Sequence, residues 1–387
     1  MTSPEFDVAV VGAGIIGAGC AWECTRAGLR VVVIESGEPG GWTTSTNMGQ
    51  IVVEDGSEPE FELTRFGAQL WRELGPELPP TAEFERIGTI WVAADEEEMN
   101  AVERRQRFYS AHGVRAEVLD EDALRREEPN LRPGLAGGLW MPDDAVVTGT
   151  PVTRALLDRV QAAGGRVRAG QRAEALLPSV VRLAGGEIVT ATHLINAAGV
   201  AAPVLSPGAP VRPRKGHLAY TDARPGFVHH QLIEMGYVRR AQDVGTDSIS
   251  FNVQPRPSGE IRVGSSRQLG VSERTVNPAV LQSMIDRAVE YMPKLAGFPI
   301  VRTAAGLRPA SGDGLPLIGP WPPQESVYLA AGHEGLGITM ALATGRLVAD
   351  QLVGRTSEIP IEPYLPKRVL DGDGVPPRPG RSAQRET

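Results

Sequence analysis

The stretch from Phe6 to Ser36, FDVAVVGAGIIGAGCAWECTRAGLRVVVIES, constrains the fold more than any other part of the chain. Val8 to Val11 is an apolar, β-branched run of the length of one buried strand. Gly12, Gly14 and Gly17 follow in G-x-G-x-x-G spacing. The first allows a tight turn, the second leaves bare backbone for a pyrophosphate, and the third lets the next helix pack close on the strand. Ile15 to Ala27 has the amphipathic pattern of that helix, with Ile15 and Ile16 in its first turn, and Gly28 is its stop. Val31 to Ile34 is a second strand ending in Glu35, about 20 residues past the glycines, where a carboxylate binds a ribose hydroxyl. The helix N-terminus offers N–H groups and partial positive charge to phosphates. Glycine spacing alone is common in loops. Strand, glycines, helix, strand and acid in one βαβ unit make a dinucleotide site.

At 387 residues the chain suits two domains that share a core. A net charge of −8 argues against nucleic acid or an anionic membrane as the main partner. Its two cysteines, Cys20 and Cys24, stand one helical turn apart. Two thiols do not complete a zinc or iron–sulfur site, so they read as core residues. With no disulfide framework, the expected compartment is the reducing cytoplasm. Val8 to Trp22 carries no charge, but it is shorter than the roughly 20 residues of a spanning helix and is interrupted by glycines. Glu5 and Asp7 precede it instead of a basic segment, so neither a targeting segment nor membrane insertion is expected.

Directly behind the dinucleotide unit lies a glycine- and hydroxyl-rich loop, Gly40 to Gln50 (GGWTTSTNMGQ). Thr43, Thr44, Ser45 and Thr46 are its candidates for hydrogen-bonding a pyrophosphate or a ring edge. Helices are predicted over 60–74, 96–112, 151–163, 278–291 and 338–352, and strands over 88–93, 138–141, 166–169, 175–177, 180–183, 187–190 and 193–196. Ala184–Gly185–Gly186 marks a hairpin, and Asp120 caps a short helix that Pro129 stops. Glu103, Arg104, Arg105 and Arg107 read as a solvated helix face. Residues 211–263 are mostly short strands. Near the C-terminal end, Ala305 to Gly319 holds an arginine among turn formers, and Val327 to Ala331 is a buried strand. Gly332 to Gly337 (GHEGLG) then opens a strong helix, which aims a second helix N-terminus at a ligand. From Lys367 onward, Pro, Gly and charge predict a disordered tail. The order of elements implies a discontinuous nucleotide domain (1–80, 145–210 and 300–366) interleaved with a substrate domain (81–144 and 211–299).

These motifs carry a family resemblance. VVGAGIIGAG at the start, LINAAG at Leu194–Gly199, AGLRP at Ala305–Pro309, DGLPLIG at Asp313–Gly319 and AGHEGLGIT at Ala331–Thr339 resemble the D-amino-acid oxidase, glycine oxidase and sarcosine oxidase family of FAD-dependent oxidoreductases. The likeness runs from Val8 to about Leu352. FNVQPRPSGEIRVGSSRQ (Phe251–Gln268) and GHEGLGIT resemble most the catalytic flavin subunits of D-hydroxyproline dehydrogenase, opine oxidase and hydrogen cyanide synthase. In that branch the flavin subunit often works with small electron-transfer subunits. The implied fold is α/β, a Rossmann-like FAD-binding domain interleaved with an α+β substrate domain built on an antiparallel sheet. The implied activity is oxidation of the C–N bond of a small amino acid or secondary amine acid to an imine, by hydride transfer to flavin N5. D-Proline, hydroxyproline, glycine and sarcosine are the candidate substrates. Oxygen, or a protein or dye, is the acceptor. Some sarcosine oxidases attach their flavin to a C-terminal cysteine, which this chain lacks, so the implied FAD is non-covalent.

Carried onto this chain, the resemblance assigns FAD binding to Gly12, Gly14, Ile15, Ile16, Gly17, Glu35, Ser36, Thr43, Thr44, Ser45, Thr46, Ala173, Ala198, Gly199 and Arg308. It adds Gly332, His333, Gly335, Leu336, Gly337, Ile338 and Thr339, a turn whose N–H groups and helix dipole favour negative charge on the reduced flavin. Arg308 falls where the family's carboxylate-binding arginine stands, and its planar fork grips both oxygens. Asn252 occupies a position where relatives often place a tyrosine as second carboxylate contact, and it is preceded by Phe251. Both are catalytic candidates, with Tyr220 and Tyr237 as substitutes for the tyrosine. Arg262 replaces the lysine that assists oxygen in sarcosine oxidases, which weakens the oxidase reading. His217, His229 and His230 show no metal-ligand spacing, and no metal is expected. Two other readings stay open: an NAD-dependent dehydrogenase with the same N-terminal fingerprint, and a flavin-bearing subunit that needs partners for activity.

Overall fold

A computed structural model describes residues 4–236 and 247–370; Tyr237 and the tail residues 371–387 lie outside the described residues. Strands β1 (Phe6–Val11) and β2 (Val31–Ile34) pair in parallel, Val8 beside Val31 and Val11 beside Ile34, with helix α1 (Ile15–Arg26) between them. Every residue of β2 is buried, as suits a strand covered on both faces. Gly28 takes φ +84° just past α1, a left-handed stop that glycine adopts without strain.

Two further links flank this unit: the short ladder of β3 (Gln50–Ile51) with β7 (Ala145–Val146), and the strands that extend the sheet. In spatial order the first sheet is β17 (Leu317–Pro320), β18 (Val327–Ala331), β11 (Ile188–Asn196), β1, β2 and β8 (Arg166–Arg168). It is parallel except for β17, and the hairpin of β9 (Ala173–Leu177) and β10 (Val180–Leu183) branches from β11. The separate strands expected over 187–190 and 193–196 are one strand, β11. Its first half pairs with β10 and its second half with β1 and β18, so the break in apolar pattern marks a change of partner and not a turn.

Helix α2 (Glu58–Leu74), helix α5 (Gly149–Ala162) and the long C-terminal helix, Gly337–Val353, share a core with α1 on one face of this sheet. Small residues set the approach. A Cβ on Gly19 would stand 2.5 Å from the Ala341 carbonyl oxygen, and one on Gly345 would stand 2.3 Å from that of Gly19. The buried Glu23 accepts from Arg346 (2.6 Å) across the same crossing and from Arg26 (2.9 Å) one turn along its own helix. The C-terminal helix and the turn before it are long and apolar enough to span a membrane, but 67% of that window is buried in this core.

The second sheet runs β16 (Ile300–Ala310), β12 (Arg212–Thr221), β15 (Ile261–Leu269), β14 (Ser248–Pro255), β13 (Gln231–Glu234), β4 (Thr89–Ala93), β6 (Gly137–Met141) and β5 (Glu117–Asp120). It is antiparallel apart from β13 beside β4. Helices α3 (Glu96–Ala111) and α4 (Glu121–Glu127) accompany its far end, and α6 (Ala202–Leu205) lies under the first sheet. Asp120 caps α4, accepting from Ala123 N–H at 2.7 Å. Helix α7 (Pro278–Tyr291) covers one face of the second sheet; the C-terminal helix is therefore α8.

Four expectations change here. The AGLRP stretch lies inside β16, which pairs with β12 from Arg212 beside Ala310 to Tyr220 beside Arg302. This stretch, expected to be rich in turns, is thus a strand of the second sheet, across the division expected at residue 300. Apart from the four-residue β13, the strands of the 211–263 region are long, from 8 residues in β14 to 10 in β12. Arg105 is not on a solvated face. It is buried, paired with Asp55 at 2.7 Å and stacked on the Trp91 ring, because α3 turns that position onto the acidic segment Glu54–Asp55 that follows β3. Finally, Pro366–Val369 forms a helical turn whose Arg368 bonds Asp313 at 2.7 Å, so the tail's first residues are ordered against β17.

Candidate active site

The two glycine turns open on one cavity of about 660 Å³ between the sheets, lined by Gly14 and Ile15 from one end of the chain and by Gly335, Gly337 and Ile338 from the other. Gly12 (φ +104°) faces the backbone of the strand end beside it: a Cβ there would stand 2.5 Å from the Ala197 carbonyl oxygen. A Cβ on Gly17 would lie 1.8 Å from the Gly12 carbonyl oxygen. Gly17 thus brings α1 against its strand without itself lining the cavity, whereas Gly14 and Ile16 reach the wall. Ala173, Ala198 and Gly199 line the same side.

Glu35 is fixed by two loops. Its Oε2 accepts from Ala13 N–H and its Oε1 from Gly37 N–H, each at 2.8 Å, with Ser36 Oγ at 3.1 Å. A carboxylate held this way keeps lone pairs toward the cavity for a hydroxyl donor. The Thr43–Thr46 turn divides its work. Thr44 Oγ1 accepts from Ile15 N–H at 3.1 Å, and Thr43 Oγ1 donates to the Leu307 carbonyl at 2.6 Å, tying the loop to β16. Thr46 packs against Gly306, where a Cβ would stand 2.0 Å from its Oγ1. Ser45 departs from expectation: its exposed hydroxyl donates back to Gly41 and Trp42, and it does not line the cavity.

In the C-terminal turn, His333 and Glu334 line the cavity alongside Gly335, Gly337 and Ile338. Gly332 shapes the turn at φ +87°, and it and Leu336 stay off the wall. Thr339 also lies behind the wall. Its hydroxyl donates to the Gln50 carbonyl at 3.2 Å and accepts from Val52 N–H at 3.1 Å, bracing the segment that carries Gln50.

The second sheet supplies Gly216, Leu218, Asn252, Ser265 and Arg308. Arg308 Nη1 donates to the Ser266 carbonyl at 2.9 Å. Ser266 is itself held by His217, whose Nδ1 lies 2.9 Å from its Oγ while His217 Nε2 accepts from Asn277 N–H at 3.0 Å. Accepting at Nε2 requires the neutral ring with the proton on Nδ1. Burial, then the charges of Lys215 and Arg308, lower its pKa to about 4. Phe251 is no catalytic candidate. It is buried on the opposite face of β14, stacked on Tyr291 with ring centroids 4.4 Å apart. Tyr220 and Arg262 also miss the cavity. Tyr220 packs under Arg302, and Arg262 Nη1 donates to the Met48 carbonyl at 3.3 Å. His229 and His230 bond through their N–H groups to Glu128, away from the site.

Glu334 is the group that the sequence reading undervalued. Arg214 Nη1 lies 3.3 Å and Arg267 Nε 3.5 Å from its Oε1. Burial acts to raise its pKa, but the guanidiniums of Arg267, Arg308 and Arg214 outweigh it and hold the carboxyl at about 2. Its only advance signal was an acid inside a glycine turn. His333 is buried, with Nε2 2.9 Å from Thr344 Oγ1 and Nδ1 without a hydrogen-bond partner among the described residues. Burial lowers its pKa to about 3, so the ring is neutral.

An extended cavity with glycine cradles at both ends, a fixed acid at one and a buried unpaired ring nitrogen in the other fits an FAD. The sequence profile of the FAD dependent oxidoreductase family, DAO, matches residues 7–351. The chain belongs to that family. Membership removes the NAD-dependent alternative, since the family's chemistry runs on FAD. The chain is similar to hydrogen cyanide synthase subunit HcnC of Pseudomonas aeruginosa, 28% identical over 94% of this chain and 96% of that one. Among solved structures it superposes on glycine oxidase from Geobacillus kaustophilus with a TM-score of 0.83, at 24% identity over 93% of this chain and 98% of that one. L-Proline dehydrogenase from P. horikoshii gives a TM-score of 0.83 at 21% identity, over 95% and 99%. At those identities the structures establish the shared fold. Among the described residues no His, Cys, Asp and Glu group is arranged to hold a metal. Cys20 and Cys24 are buried in α1 and do not line the cavity.

Proposed function

We propose that this chain oxidises the C–N bond of a small amino acid or secondary amine acid to an imine, with Arg308 holding the carboxylate. The observation that carries the reading is the position of Arg308, on the wall of the cavity shared by both glycine turns. Gly12, Gly14 and the α1 N-terminus would hold the phosphates, Glu35 the ribose, and the Gly335–Ile338 turn the flavin. Bound there, FAD supplies the hydride acceptor. The protein's own task is positioning: the Arg308 fork fixes the carboxylate, and thereby which bond of the α-carbon faces the cofactor. Glu334, held ionised by its arginines, and His333, held neutral, are not poised near pH 7 as a strong general base. This favours transfer from an amine that enters neutral. The N-terminus of α8 favours negative charge on its ligand.

Glycine, sarcosine, D-proline and its hydroxylated forms fit a site built for one carboxylate and one small amine. Likeness to glycine oxidase supports that size class, and likeness to a hydrogen cyanide synthase subunit supports a second feature: electron transfer to small partner subunits rather than directly to oxygen. The test is a screen of D- and N-methyl amino acids on the yellow purified protein, with a redox dye and with oxygen alone. Bleaching of the flavin by members of this set supports the reading, and dye-dependent turnover without oxygen uptake supports the partner-dependent form. A flavoprotein that no amino acid reduces would sink the assignment.

A further inference from the structure

Asn252 is 3% exposed and stands in the cavity wall. Its Nδ2 donates to Gln50 Oε1 at 3.5 Å. The same Gln50 oxygen accepts from Gln231 Nε2 at 3.3 Å, and Gln231 Oε1 accepts from Gln254 Nε2 at 2.9 Å. These amides point one way along the row, from Gln254 toward Gln50, and the Thr339 hydroxyl bonded to the Gln50 carbonyl holds the receiving end. With Nδ2 engaged, the remaining atom of the Asn252 amide is Oδ1, which is buried without a hydrogen-bond partner among the described residues. A buried amide oxygen in this state is destabilising until a donor arrives.

An amide oxygen accepts and does not donate, so it cannot grip a carboxylate. The role expected for residue 252, a second carboxylate contact, does not suit the group found there. An amine N–H does suit it. We propose that Asn252 Oδ1 accepts a hydrogen bond from the substrate's amine N–H while Arg308 takes the carboxylate, an inference that rests on the amino-acid reading above. Two points of attachment of opposite character then fix the α-carbon between them. The site selects primary and secondary amines, which present an N–H when neutral, over tertiary amines, which do not.

The test uses the FAD-loaded protein and a pair of planar acids that differ at one atom, pyrrole-2-carboxylate (ring N–H) and furan-2-carboxylate (ring oxygen). Dissociation constants are read by isothermal titration calorimetry for the wild type, Asn252→Leu, Asn252→Asp and Arg308→Ala. The wild type is expected to prefer the pyrrole acid by about tenfold, the worth of one hydrogen bond. Asn252→Leu brings the ratio to near one, and Asn252→Asp, still an acceptor, keeps it. Arg308→Ala weakens both acids alike. A wild-type preference for the furan acid, or a ratio unmoved by Asn252→Leu while Arg308→Ala weakens both, overturns the Asn252 assignment alone. Failure of both acids to bind the wild type overturns the amino-acid reading and this inference with it.

Discussion

Arg308 lies over Gly216, so close that a Cβ added at Gly216 would stand 2.5 Å from Nη2. The two residues sit on paired strands, Gly216 beside Gly306 and Arg214 beside Arg308, and the missing side chain is the space the guanidinium occupies. Gly216 is not among the glycines at positive φ, so alanine is tolerated by its backbone. Gly216→Ala is therefore expected to displace the guanidinium and raise KM for carboxylate substrates about tenfold or more, the loss of one charge-assisted hydrogen bond. The flavin spectrum should stay unchanged. Steady-state kinetics with an unaltered KM would show that the guanidinium does not bind substrate from this position.

Removing the guanidinium itself should have a larger effect. Arg308→Ala is expected to weaken carboxylate binding by about 100-fold, taking a charged hydrogen-bonded contact at roughly 2–3 kcal/mol. Arg308→Lys should recover only part of it, because an ammonium cannot reproduce the fork. Both are read from KM and from ligand titration of the bound flavin. Uncharged substrate analogues should be indifferent to either change.

His217 links pH to the stability of this wall. Its folded pKa, about 4, lies below the usual 6.5, so the unfolded chain binds the extra proton between those values. The contribution is complete above pH 6.5 and is lost as pH falls through 4. His217→Gln should show a flatter dependence of Tm on pH than the wild type across this window. Parallel curves would mean that His217 does not titrate as its surroundings imply.

Asp144 behaves in the opposite sense. Burial raises its carboxyl to about 7, against contributions from Thr89 and Val53 that lower it, so the fold prefers the protonated form. The unfolded carboxyl ionises near 3.8, so stability from this group is lost as pH rises from about 4 toward 7. Asp144→Asn removes that titration. The Tm of the variant relative to the wild type is expected to improve between pH 5 and pH 8, and a constant difference would exclude the raised carboxyl.

Much of the cofactor side was legible before the fold. Gly12, Gly14, Gly17, Glu35 and the GHEGLG turn are local patterns, and Gly17 and Glu35 meet their partners, Gly12, Ala13 and Gly37, within one βαβ unit and the turn after it, although the tightest approach to Gly12 comes from distant Ala197. The substrate side was legible in kind but not in role. Alternation along a strand places Phe251 and Asn252 on opposite faces, so they could not both line one site. Which of them faced the cavity depended on α7 packing against Phe251, a contact with Tyr291 far along the chain. Glu334 and Arg105 acquired their roles in the same way, from guanidiniums and carboxylates on elements remote in sequence.

Short-range physics therefore settled in the sequence alone that this chain builds a dinucleotide cradle and a second glycine turn, because backbone conformation and periodicity are properties of neighbouring residues. Only the tertiary structure decided that both turns share one cavity, that Asn252 stands in its wall, and that Glu334 lies among Arg214, Arg267 and Arg308. Those outcomes depend on sheet register and on which faces pack together, and no local pattern encodes either.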